Sequence, residues 1–126
     1  MKELTKAEEQ IMQILWRLGK GYVNDFLEYF PEPKPAYNTV STFIRILEKK
    51  GIVGHESFGK AHRYYPLISR KDYIRFTMKQ MLDGYFNNSY KKMVSFFARE
   101  NNLTINEMEE IRLLMEQQIE EKKKKS

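Results

Sequence analysis

A chain of 126 residues, 41% hydrophobic and 13% aromatic, suits one domain or two small modules with enough apolar material for a core. The absence of cysteine excludes disulfides, cysteine-ligated zinc and thiol catalysis. No apolar run reaches the roughly 20 residues a bilayer span needs, and no apolar leader opens the chain, so a cytoplasmic location is expected. The net charge of +5 is unevenly spread: over residues 34–63, six basic residues stand against the two acids Glu48 and Glu56. That stretch is a candidate phosphate-binding surface or an ordinary solvated face.

Thr5-Lys6-Ala7-Glu8 reads as a capping box, in which the Thr5 hydroxyl accepts from the amide three residues on and Glu8 reaches back. Ile11, Ile14, Leu15 and Leu18 then form a helical stripe, and Gly19 and Gly21 stop it, which predicts a first helix over about 5–18. Tyr22-Val23 reads as a short extended piece. Asn24 reads as the N-cap of a short second helix carrying Phe26, Leu27 and Phe30. The proline-rich stretch 31–35 is expected to be a stiff loop, because proline lacks an amide and restricts the residue before it.

A third helix is expected over 37–50, closed by Gly51. At 100° per residue, Ala36, Val40, Phe43, Leu47 and, at the edge, Ile44 share one side. Asn38, Ser41, Thr42, Arg45 and Lys49 share the other. These are short or planar hydrogen-bonding groups and middling helix formers, the types that read base edges and phosphates in a major groove. Two β-prone runs follow, 52–57 and 62–66, around a glycine-containing turn at 58–61, and predict a hairpin. Three helices and a hairpin, with a polar-faced third helix, is the winged helix-turn-helix order. The hairpin is the wing, and Lys60 and Arg63 on it are placed to meet phosphates.

Beyond residue 68 the pattern predicts three short amphipathic helices. Ser69 to Asp72 cap the first, which carries Ile74, Met78, Met81, Leu82 and Tyr85 and breaks at Gly84 and Asn87-Asn88. Ser89 opens the next, with Met93, Val94, Phe96 and Phe97. A second capping box, Thr104-Ile105-Asn106-Glu107, starts the last, with Ile105, Met108, Ile111, Met115 and Ile119. The lysine run 122–125 reads as a frayed tail. Three helices in so few residues hardly bury their apolar faces alone. Residues 1–68 are therefore read as the DNA-binding domain and 69–126 as a dimerisation region, with Ile74, Met78, Met81, Met93, Phe97, Met108, Ile111 and Met115 as its contact residues. Overall the chain is expected to be mainly α with a small β-hairpin wing.

Several segments are similar to the BlaI/MecI/CopY family of repressors: 4–8 with Ile14-Leu15-Trp16, 38–42 with 47–53, and 63–67. Met93-Val94-Ser95-Phe96-Phe97-Ala98-Arg99-Glu100, with Leu103-Thr104 and Glu109-Glu110-Ile111, resembles the BlaI/MecI branch. The resemblance spans about 4–116 and rests on order and spacing. It implies a homodimer whose winged helices bind double-stranded DNA at a palindromic operator and whose helical C-terminal parts interlock. It places Thr39, Ser41, Thr42 and Arg45 at DNA-contacting positions. It also implies inactivation by cleavage at Ser95-Phe96 after a membrane sensor protease detects a β-lactam, although members carry Asn where this chain has Ser95. The copper-responsive branch uses a C-terminal cysteine motif that is absent here. Ala36 stands where members often have a capping serine.

The competing classes leave weaker traces. A winged helix used only for protein contacts is the alternative, disfavoured by the basic, Ser/Thr/Arg-faced third helix. The Met and aromatic stripes after residue 68 could line a ligand pocket, but nothing polar converges on them. His55 and His62 have only Glu56 close by in sequence, so no metal site and no cofactor are expected. An enzyme would need an acid pair, an activated nucleophile or a glycine-rich phosphate loop, and none is evident.

Overall fold

A computed structural model describes residues 3–100 and 103–126. The elements run α1 (Lys6–Leu18), α2 (Val23–Glu28), α3 (Tyr37–Lys49), β1 (Val53–Phe58), β2 (Ala61–Pro66), α4 (Arg70–Tyr85), α5 (Tyr90–Arg99) and α6 (Ile105–Lys125). The chain divides into two compact units, Met1–Met78 and Lys79–Ser126, with the division inside α4.

In the first unit, α1 begins with the expected capping box: the Thr5 hydroxyl accepts from the Glu8 amide at 3.2 Å, and the Glu8 carboxylate accepts from the Thr5 amide at 2.9 Å. Two N–H groups that the helix leaves without partners are thereby satisfied. Gly19 ends α1 at φ +83°. The extended piece falls one residue earlier than expected, at Gly21, which exchanges two backbone hydrogen bonds with Tyr64 of β2. A Cβ at Gly21 would lie 2.8 Å from the Phe26 ring, so the close approach requires glycine. Val23 accordingly belongs to α2, whose N-cap is Tyr22 and not Asn24. The Asp25 carboxylate accepts from the Tyr22 amide at 2.8 Å, and this local bond sets the start two residues ahead of the better capping side chain.

The exit of α3 follows the Schellman pattern, with Ile52 N–H bonded to the Leu47 carbonyl and Gly51 N–H to that of Glu48, and Gly51 at φ +78°. That turn reverses the chain into β1. The hairpin is tighter than expected: Phe58 pairs with Ala61, leaving Gly59-Lys60 as a two-residue loop with Gly59 at φ +63°. Ile11, Met12 and Leu15 of α1, Phe26 of α2, Val40, Ile44 and Leu47 of α3, and Ile52, Val53 and Tyr64 form one buried core. Trp16 packs beside it against Tyr73, and its indole N–H donates to the Ile68 carbonyl at 2.9 Å. The loop and helix order therefore fixes α3 and the hairpin on a shared core.

In the second unit, α4 runs through Gly84 and stops only at Asn87 and Asn88, both left-handed (φ +51° and +58°), so Gly84 is not a break. Asparagine tolerates that conformation better than most residues, while a single glycine weakens a helix without ending it. Ser89 caps α5 and Thr104 with Glu107 boxes α6 as expected. The lysines 122–125 are not a frayed tail: α6 continues through Lys125, and cations in a last helical turn face the negative end of the helix dipole. Neither α5 nor α6 has a buried residue in the single chain. Among the described residues no helix is long and apolar enough to cross a membrane.

Candidate nucleic-acid interface

The faces of α3 are rotated from those given by the 100° rule alone. Val40, Ile44 and Leu47 are buried, and Ser41 is buried with them at 7% exposure. The exposed arc is Asn38, Thr39, Thr42, Arg45, Ile46 and Lys49. Thr39 thus joins the arc and Ser41 leaves its surface. The reason is tertiary: α3 packs against α1, α2 and β1, and these contacts draw in the Ile44 side of the helix, which carries Ser41 with it. The buried hydroxyl of Ser41 accepts from an Arg45 Nη2 at 3.2 Å and so orients the guanidinium. The Thr42 hydroxyl donates back to the Asn38 carbonyl at 2.8 Å. Ala36 sits at the N-cap without a side-chain bond, and the helix still starts at Tyr37.

The hairpin separates its side chains onto two faces by strand alternation. On one face Glu56 is paired with Lys20 at 3.1 Å and with Arg63 at 3.3 Å, and the Arg63 guanidinium lies 4.8 Å from the Phe58 ring centroid. The Lys20 hydrogen bond, with the charges of Lys20 and Arg63, outweighs desolvation and holds the half-buried Glu56 carboxyl below its usual range. Glu56 is thus shared between Lys20 and Arg63, and the Arg63 Nε is buried without a partner. Lys60, at the loop tip, is exposed.

On the other face His55 and His62 stack, with ring centroids 4.2 Å apart and planes 7° from parallel, and Tyr64 meets both edge-on. His55 Nδ1 is bonded to the Glu48 carboxylate of α3. The acid beside the histidines is thus Glu48, not the sequence neighbour Glu56, because the reversal after α3 lays β1 alongside that helix. Among the described residues no cluster of three potential ligands could hold a metal ion. Burial, reinforced by the charge of Glu48 and opposed by Arg45, pushes the Tyr64 hydroxyl above its usual range. His62, with Arg45, Lys60, Tyr37, Tyr22 and Asn24, lines a groove of about 360 Å³ between α3 and the hairpin. The sequence pointed to no metal site at the two histidines, and strand alternation places 55, 62 and 64 on one face.

Three helices closed by a hairpin, with the third helix exposed along a polar, basic arc beside that hairpin, define a winged helix-turn-helix protein. A model of the family described as penicillinase repressor matches residues 4–117, and the chain belongs to that family. It is 26% identical over 114 residues to the methicillin resistance regulatory protein MecI of Staphylococcus aureus (strain N315), across 90% of this chain and 93% of the relative. It is 25% identical over 122 residues to the penicillinase repressor of Bacillus licheniformis, across 96% and 95% of the two chains. Among solved structures it is similar to the DNA-binding domain of the repressor BlaI, with a TM-score of 0.49 at 26% identity, covering 58% of this chain and 94% of that domain. The family is one of transcriptional repressors and not of enzymes.

The remaining sequence-derived sites lie as follows. Ser95 is half-buried and Phe96 is 54% exposed, in the middle of α5. Of the expected contact residues, Ile74, Met78, Met81, Met108, Ile111 and Met115 are exposed, and Met93 and Phe97 are half-buried.

Proposed function

We propose that the chain is a homodimeric repressor that binds a palindromic operator in double-stranded DNA through α3. The observation that carries this reading is the exposed arc of α3, where Asn38, Thr39, Thr42, Arg45 and Lys49 form a continuous hydrogen-bonding and cationic strip beside Lys60. In a major groove Arg45 would meet a base edge, the threonines and Asn38 bases or nearby phosphates, and Lys49 and Lys60 phosphates. Ser41 acts through Arg45 rather than by touching DNA. Arg63 would contribute less, since its guanidinium is already engaged with Glu56. Repression follows from occupying a promoter, without chemistry.

Residues 69–126 would join two copies. Ile74, Met78, Met81, Met108, Ile111 and Met115 leave apolar area in water, and Met93 and Phe97 leave a part of theirs. Covering such a surface is what drives stable association. Cleavage at Ser95-Phe96 by a membrane sensor protease would then separate the copies. A protease needs extended chain, and α5, with 10 residues and none buried, is short enough to unwind at small cost.

Titrating the full chain with a random-sequence duplex at rising salt tests the DNA reading. Binding should be present at low salt, with log K falling linearly against log salt. Sedimentation of the same sample should show two copies per complex. No binding even at low salt would favour a winged helix that contacts only proteins.

A further inference from the structure

The groove between α3 and the hairpin holds more than the recognition arc requires. Arg45 from the helix, Lys60 from the loop tip and His62 from β2 converge on it, with the Tyr37 side chain on the same wall. A duplex whose major groove receives α3 carries its phosphates along the flanks of that helix, where the wing stands. We propose that this groove seats one backbone phosphate of the bound duplex and that His62 contacts it as an imidazolium, so that binding takes up a proton. The inference rests on the DNA reading above.

The surroundings of His62 favour this arrangement. Its ring is stacked on His55, whose Nδ1 is occupied by Glu48; Tyr64 stands at the edge; Arg45 and Tyr37 come from α3, Lys60 from the loop, and Tyr22 and Asn24 from the α2 side. The Asp25 carboxylate accepts from the Tyr22 amide. Arg45 and Lys60 thus supply two cations to the groove that His62 lines, and Glu48 is bonded to the other imidazole. A phosphate seated there is attracted by both cations, and the ring N–H of an imidazolium donates to its oxygen. Imidazole is the side chain whose charge changes near neutral pH, and the chain has two.

The test is the affinity of the full chain for a duplex at constant salt between about pH 6 and 8, for the unmodified protein, His62→Gln and His55→Gln. Proton uptake on binding is read alongside by calorimetry in two buffers of different ionisation heat. The unmodified chain should bind about 3- to 10-fold more tightly at the lower pH, as expected for uptake of up to one proton. His62→Gln should lose that dependence and keep its thermal transition, and His55→Gln should retain part of it. Binding that ignores pH, or a dependence lost in His55→Gln and kept in His62→Gln, would overturn the assignment. Absence of duplex binding at every pH would instead overturn the DNA reading itself.

Discussion

Lys50→Ala is expected to destabilise the first unit by about 2–4 kcal/mol at neutral pH, a large effect for a lysine 23% exposed. Lys50 Nζ is 2.8 Å from Glu8 Oε1, and Glu8 is only 1% exposed. Burial pushes the Glu8 carboxyl up, but the Lys50 and Thr5 hydrogen bonds and the Lys50 charge outweigh it and leave the group below its ordinary value of 4.5. Removing the lysine leaves a buried carboxylate held only by the Thr5 amide, with Oε2 already lacking a partner. The sign of the pH dependence follows. Because the folded value is depressed, the stabilisation is complete above pH 4.5 and is lost as pH falls through the folded value. The gap between the unmodified chain and Lys50→Ala should therefore narrow in acid. Thermal unfolding followed by the fluorescence of Trp16, the only tryptophan and part of the first unit, reads this directly. A shift of the midpoint by about 10–20 °C at pH 7 is expected. An unchanged midpoint would mean that the pair is not formed.

The second large effect concerns recognition. Arg45→Ala should weaken binding to the preferred site by about 5- to 150-fold, equivalent to about 1–3 kcal/mol, and weaken random duplex far less. Arg45→Lys should recover the charge and little of the discrimination, because only the guanidinium offers a planar fork to a guanine edge. Ser41→Ala, which removes the hydroxyl 3.2 Å from the Arg45 Nη2, should show a fraction of the same loss in discrimination. Equal losses on preferred and random duplex for Arg45→Ala would reduce Arg45 to a phosphate contact. Competition binding with the two duplexes at one salt concentration distinguishes these results.

The parts of the molecule legible in the sequence are those governed by local rules. The Thr5–Glu8 and Thr104–Glu107 capping boxes, the Gly51 exit of α3 and the Ser89 cap each depend on residues within a few positions of one another. The winged-helix order followed from them. What was not legible depends on neighbours distant in the chain. Ser41 lies at the border between the two faces of α3, and packing against α1, α2 and β1 decides on which side it falls. The Glu48–His55 contact exists because a Schellman turn folds β1 back along α3, and the choice of Glu56 for Lys20 and Arg63 depends on the same fold. Charge counting over 34–63 set Glu56 against the cations of that stretch, but it left out Glu8, which lies outside the stretch and pairs with Lys50. The basic surface is therefore narrower than the composition suggested, and it centres on Arg45, Lys49 and Lys60.

The central claim, that α3 reads sequence in duplex DNA as one half of a symmetric pair, is tested most directly by selecting bound duplexes from a fully random library with the full chain. The account predicts enrichment of a two-fold symmetric motif whose half-site centres are about 34–36 Å apart or a multiple of that spacing, with enrichment reduced by Arg45→Ala. Recovery of the library unchanged, or of a motif that Arg45→Ala enriches equally well, would contradict it.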